Sequence, residues 1–370
     1  MVYLDHAATT PLRPEALQAM LPYLTEHYGN PSGAHSIARV ARTAVDDARE
    51  RVAGVLGCDA GDVVFTSGGT ESCNLAIQGV HRARGGALLC SAVEHHAVLD
   101  TVRSCGGTTV PVDGRGRVDL DALADHLHPG VTLVSVMAAN NEVGVLEPID
   151  AVAALVRRHA PDAVLHVDAV AAAPWVDPAV VASVADMVSV SGHKFGGPKG
   201  VGVLAVRRGT PAPLLFGGGQ ERERRPGTHN VAGIVGMAAA LEVSAATRLE
   251  RGASVADRRD RLEAALVESG TGVRRTVEGA VRLPGISHLV VDGVDQEELL
   301  LLLDDAGICA SGGSACASGA MQPSHVLLAM GMSTSEARSA LRLSLGYTTT
   351  EAEIDTVIDV VPKVVEQLRR

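Results

Sequence analysis

Along the first half of the chain, short apolar runs alternate with segments whose apolar residues recur at helical spacing. Ile37, Val40, Ala41, Ala44, Val45, Ala48, Val52, Val55 and Leu56 fall on one helical stripe, and Gly57 is placed to cap it. Strands are predicted at 62–66, 87–91, 131–137, 163–168, 186–190 and 201–206, with helices at 71–81, 96–103 and 149–158. Val131 to Met137 is almost continuously apolar, as expected for a strand covered on both faces. This alternation predicts an α/β fold with a mainly parallel sheet sheathed by helices, whose ligands bind beyond the carboxyl ends of the strands.

From about Asn230 to Glu268 the pattern is helical, with an interruption expected near Gly252. Beyond it lie a strand at 286–291 and helices at 296–306, 324–330 and 351–368. The expected division is a large domain over 16–250 and a smaller α/β domain built from 1–15 and 251–370.

Chemistry-bearing residues cluster after the predicted strands. Ser67-Gly68-Gly69-Thr70 leads into a helix whose free N–H groups suit a phosphate, although the same sequence also makes an ordinary turn. The next strand leads to Glu94-His95-His96, where an imidazole either meets a ligand or merely lines a loop. Asn140-Asn141 follows another strand and reads equally as ligand contact or turn. Asp168 closes a strand, and a carboxylate there calls for a cationic partner such as a protonated pyridine nitrogen. Ser191-Gly192-His193-Lys194 closes the strand after that.

Composition sharpens the picture at one point. Of 32 basic residues only Lys194, Lys199 and Lys363 are lysine. Lys194 directly follows a strand, whereas Lys199 sits in a Gly-Pro-Lys-Gly turn. A lysine, a buried aspartate, a phosphate cradle and a histidine at the ends of one sheet match the requirements of pyridoxal 5′-phosphate. A net charge of −11 and 2% aromatic residues argue against direct nucleic-acid binding. No apolar run approaches the ~18 residues of a membrane span, and no basic, apolar leader opens the chain. Six cysteines without CxxC or metal-ligand spacing fit a reduced, cytoplasmic setting with no metal. Cys309 reads as a core thiol, and Cys316, within a Gly/Ser/Ala stretch, as an exposed thiol on a swinging loop.

These motifs resemble the cysteine desulfurases of the NifS/IscS type, within the class V aminotransferases of the fold-type I pyridoxal-phosphate enzymes. The resemblance runs through Tyr3 to Pro11, TSGGTES from Thr66, Glu94-His95, Asn140-Asn141-Glu142 and His166-Val167-Asp168-Ala169. It continues through SGHKFGGPKG from Ser191, Gly217 to Arg222, Pro226-Gly227-Thr228, GSAC ending at Cys316, and Arg342 to Gly346. It implies a fold-type I architecture, Lys194 as the lysine that holds the cofactor, His95 as the ring-stacking acid/base and Asp168 as partner of the ring nitrogen. It further implies Gly69, Thr70, Ser191 and His193 at the cofactor phosphate, with Asn141 and Arg342 at cofactor or substrate carboxylate. Thr228 would reach the phosphate of a neighbouring subunit, which makes the enzyme a homodimer. Cys316 would take sulfur from L-cysteine as a persulfide, leaving L-alanine, and a mobile loop would pass it to an acceptor protein for iron–sulfur assembly or thiolation. A different carbon–sulfur or carbon–selenium lyase on the same fold, or a weakened member acting as a scaffold, remains the alternative. Two positions depart from the family pattern: Ala171 stands where glutamine is usual, and the chain ends soon after the last helix. The first implies an altered cofactor environment and the second a different docking mode for the acceptor.

Overall fold

The structure, a computed structural model, describes residues 1–313 and 322–370. Twelve strands run in chain order: β1 (Val2–Tyr3), β2 (Val63–Thr66), β3 (Ala87–Ser91), β4 (Thr108–Val110), β5 (Val131–Ser135) and β6 (Val164–Asp168). They continue with β7 (Met187–Ser191), β8 (Gly202–Val206), β9 (Val273–Arg275), β10 (Ile286–Val291), β11 (Ile308–Cys309) and β12 (Ala340–Ser344). Seven of them form one sheet in the order β2-β8-β7-β6-β5-β3-β4. The chain belongs to the α/β class expected from the alternation. β4, β3, β5, β6 and β7 run parallel, and β8 is antiparallel to both of its neighbours. The segment between β7 and β8 holds only a turn, too short for the crossover that a parallel connection needs, so β8 must reverse.

Helices Ser36–Leu56, Gly69–Arg84, His96–Ser104 and Ile149–His159 cover this sheet. The first ends at Gly57, whose φ of 63° is the left-handed cap expected there. β5 stops two residues short of the apolar run because the Met137 N–H goes to the Glu94 carboxylate at 2.7 Å. Residues 231–268 form one helix that runs through Gly252 without a break. Gly252 is buried, and a Cβ there would meet Pro284 at an ordinary 3.7 Å, so nothing in the packing or the helix path requires the glycine. That helix is long and apolar enough to cross a membrane, yet most of its apolar stretch, 61%, is buried inside the protein.

A second apolar cluster gathers Val255, Leu262, Leu289, Leu299, Leu341, Leu343 and Val361 around the antiparallel sheet β12-β10-β9. The N-terminus joins this cluster. β1 lies parallel to β11, with Val2 opposite Ile308 and Tyr3 opposite Cys309, and Leu4 is fully buried. Cys309, expected in the core, is only half-buried on this two-stranded edge. The five described cysteines carry free thiols.

Candidate active site

A cavity of about 550 Å³ opens at the carboxyl ends of β5, β6 and β7. Gly69, Thr70, His95, Asn141, Asp168, Ser191, His193, Lys194 and Arg342 all line it. Nine residues scattered over most of the chain in the sequence thus share one hollow. Thr228 is not among the lining residues; it is exposed on its own chain, in the segment that follows Gly217. Cys316 lies outside the described residues, as do 314–321 as a whole.

The glycine pair after β2 shapes one wall. Gly68 takes a φ of 152°, and a Cβ on Gly69 would come within 2.8 Å of Val170. Gly68 offers no side chain to cap the helix Gly69–Arg84, so the first N–H groups of that helix keep no intrahelical acceptor. Sixteen residues of aligned peptide dipoles end there, which favours an anion. Ser191, buried at the end of β7, and Thr70 add hydroxyls to the same cavity.

Lys194 ends a short 3₁₀ turn, Gly192–Lys194, directly after β7. Its Nζ donates to the main-chain carbonyls of Ala7 and Ala8, the latter at 3.0 Å. Burial lowers its pKa to about 8, with the Arg342 guanidinium adding to the effect. Asp168, 6% exposed at the end of β6, accepts the Val170 N–H on Oδ1 at 2.9 Å and faces the Cys73 thiol through Oδ2 at 3.6 Å. His95 caps the helix His96–Ser104 by accepting the Ala97 N–H on Nδ1 at 3.0 Å, which leaves Nε2 as the nitrogen that carries a proton. Loss of solvation lowers the pKa of His95. His193 contacts the Thr9 hydroxyl at 3.2 Å, and burial lowers its pKa to about 4.

The two asparagines divide their work. Asn140 is fully buried and builds the turn, donating to Val93 O and accepting from the N–H groups of Glu142 and Val143. Asn141 faces the cavity. Arg342, on β12, is 4% exposed; it donates to Asp5 Oδ1 at 2.8 Å and to the carbonyls of Asn141 and Gly313. Its fork is therefore partly engaged by Asp5. The N-terminal segment contributes more than sequence reading assigned to it: Ala7 and Ala8 bond to Lys194, and Asp5 bonds to Arg342. The Ala7 and Ala8 contacts are made by backbone carbonyls, which have no residue signature. Ala171, in the place where glutamine is usual, also lines the cavity.

The sequence profile of Aminotransferase class-V matches residues 2–357. The chain belongs to the class-V aminotransferase family. It is 45% identical to the cysteine desulfurase of Cereibacter sphaeroides over 378 residues, covering 100% of this chain and 96% of that one. Among solved structures, a NifS-like protein superposes with a TM-score of 0.93 at 34% identity, covering 99% of this chain and 100% of that one. SspA in complex with cysteine superposes with a TM-score of 0.80 at 31% identity, covering 95% and 100%. The family-level expectation from the motifs and the expected fold-type I architecture both hold.

The donor set suits the pyridoxal phosphate that serves this family. An amine with a pKa near 8, a glycine-walled anion cradle and a buried carboxylate converge on one cavity large enough for a small heteroaromatic ring and an amino acid.

Proposed function

We propose that this chain is a pyridoxal-phosphate-dependent cysteine desulfurase that converts L-cysteine to L-alanine and retains the sulfur on Cys316. The observation that carries this reading is the pairing of Lys194 and Asp168 at the ends of adjacent parallel strands, in one cavity with the helix N-terminus at Gly69. Gly69, Thr70, Ser191 and His193 would hold the phosphate, Asp168 the ring nitrogen, and Lys194 the aldehyde carbon. When bound, the cofactor supplies an aldehyde that condenses with amines and a ring that withdraws electrons from the substrate α-carbon. Lys194, partly neutral near pH 8, takes the α-proton. His95 Nε2 holds or moves a second proton, and Asn141 with Arg342 orients the substrate carboxylate.

Cys316 is assigned from its motif. Its sulfur attacks the substrate sulfur and the substrate Cβ–Sγ bond breaks. The electron pair stays with carbon, which is protonated to give alanine, and Cys316 keeps the added sulfur as a persulfide. The sulfur then passes to an acceptor protein.

Homodimerisation is part of the proposal. Thr228 is exposed and does not line its own cavity, and it would serve that of the partner. Leu17, Leu21 and Leu24 on helix Pro14–Thr25, with Ile37, Val40 and Phe216, leave apolar side chains exposed that a second copy would cover.

The deciding experiment measures alanine and sulfide released from L-cysteine with a reductant. Wild type releases both, Lys194→Ala neither, and Cys316→Ser loses sulfide release. Full turnover by Cys316→Ser would favour the other carbon–sulfur lyase reading.

A further inference from the structure

Beneath helix Gly69–Arg84 the large sheet carries a polar stripe among its apolar residues. Ser135 on β5 stands opposite His166 on β6, and Asp168, two residues along β6 and on the same face, stands opposite Ser189 on β7. Ser135, His166 and Ser189 are fully buried. Cys73 comes down onto this stripe from the helix, one turn after Thr70. The contacts are continuous. Ser135 Oγ meets His166 Nδ1 at 2.8 Å, and His166 Nε2 meets Ser189 Oγ at 2.8 Å. Cys73 Sγ reaches Asp168 Oδ2 at 3.6 Å, and the Ser189 hydroxyl, opposite Asp168, stands near enough to the thiol to favour its ionised form.

The chemistry of the last member sets the direction of every bond. An ionised carboxylate only accepts, so the Cys73 S–H donates to Asp168. The sulfur then accepts from the Ser189 hydroxyl, whose oxygen accepts from His166 Nε2–H. His166 Nδ1 is left bare and accepts from Ser135. Burial supports both assumptions: it raises the Cys73 pKa well above its ordinary value and lowers that of His166 to about 4, so the thiol keeps its proton and the imidazole is neutral.

We infer that Ser135, His166, Ser189 and Cys73 form a one-way hydrogen-bond chain that ends on Asp168 and fixes that carboxylate for its partner, with Cys73 as the positioning residue that makes the connection. Oδ1 is held by a backbone N–H and Oδ2 by the thiol, so the rotation of the carboxylate and the lone pairs left for a ligand are both set. A thiol is a weak donor and draws less electron density from Asp168 than a hydroxyl does. The inference rests on the assignment of Asp168 to the ring nitrogen only for its functional consequence.

Two readouts separate the parts. In cofactor-free protein labelled with ¹⁵N-histidine, with His166→Gln used for assignment, His166 is expected as the single neutral Nε2–H tautomer. Cys73→Ala frees the Ser189 hydroxyl to turn, so both tautomers should appear, and Cys73→Ser should restore one. An Nδ1–H tautomer in wild type, or an unchanged signal in Cys73→Ala, overturns the chain. In protein loaded with ¹⁵N-labelled pyridoxal phosphate, the ring-nitrogen titration should move by more than half a pH unit in Cys73→Ala and move less in Cys73→Ser. A chain present in the cofactor-free protein, together with a ring nitrogen indifferent to Asp168→Asn, would keep the hydrogen-bond order and remove the cofactor placement.

Discussion

Lys194 is held by two carbonyl oxygens yet has its charge disfavoured by burial and by Arg342, so its amine is partly neutral near neutrality. Condensation with an aldehyde needs the neutral amine. The rate at which cofactor-free protein takes up pyridoxal phosphate, followed by visible absorbance, should therefore rise with pH up to about 8 and flatten above it. A rise continuing unchanged through pH 10 would mean an ordinary lysine. At this scale most of the site was legible. Lysine is scarce enough that Lys194 stood out, Asp168 closes a strand, and His95 and Asn141 lie in segments that follow strands. Four residues were not legible. The Ala7 and Ala8 carbonyls carry no side-chain signal. Asp5 acquires meaning only opposite Arg342. Cys73 looks like any apolar helix residue until the sheet beneath it is seen to be polar. Of the two readings of the Asn140-Asn141 motif, Asn140 builds the turn, and Asn141, presented by it, lines the cavity.

Among the elements, the segment Gln220–Glu223 bears the greatest conformational burden. Glu221, Arg222 and Glu223 all take positive φ, at 50°, 57° and 67°, which costs non-glycine residues about 1–2 kcal/mol each. Glu221 offsets this. It is buried and accepts from both terminal nitrogens of Arg49, from the Phe65 N–H and from His229. Although burial opposes ionisation, Arg49 and His229 hold its pKa down to about 2. The stability this supplies is complete above the unfolded carboxylate value of about 4.3 and is lost as pH falls toward 2. Glu221→Gln should lower the urea midpoint at pH 7 and flatten its decline between pH 5 and 2; parallel curves for the two proteins would refute this. Because the same segment leads to Thr228, the variant should also weaken cofactor retention. The long elements were predictable because their apolar period persists over several turns. β9 and β11 are too short to show a period, and helix Pro14–Thr25 turns Leu17, Leu21 and Leu24 outward, so its pattern does not point to its own core.

For the whole molecule, two sets of buried groups pull stability in opposite directions. Burial lowers His6, His166 and His193 to about 4 and His288 to about 3. Between those values and about 6.5 the unfolded chain binds more protons, so these residues make stability rise with pH. Burial raises Glu94, Glu142 and Glu147, the last to about 8. Above about 4.3 the folded chain holds their protons more tightly, so they make stability fall as pH rises. Above the histidine window the three glutamates still act, opposed by the one Lys194 amine as it begins to titrate near 8, and the urea midpoint should peak near pH 6.5 and decline toward 8. A midpoint still climbing at pH 8 would contradict this balance. If the exposed leucines form the interface between copies, Leu21→Asp combined with Leu24→Asp should shift sedimentation from dimer to monomer; an unchanged dimer would place the interface elsewhere. The pairing of Val2 with Ile308 has a further consequence for how the enzyme is made. Val2 and Tyr3 settle only once the distant strand β11 is in place, and until then the Lys194 amine lacks the carbonyls that grip it. Loosening the β1–β11 pairing is therefore expected to free the Lys194 amine from a distance.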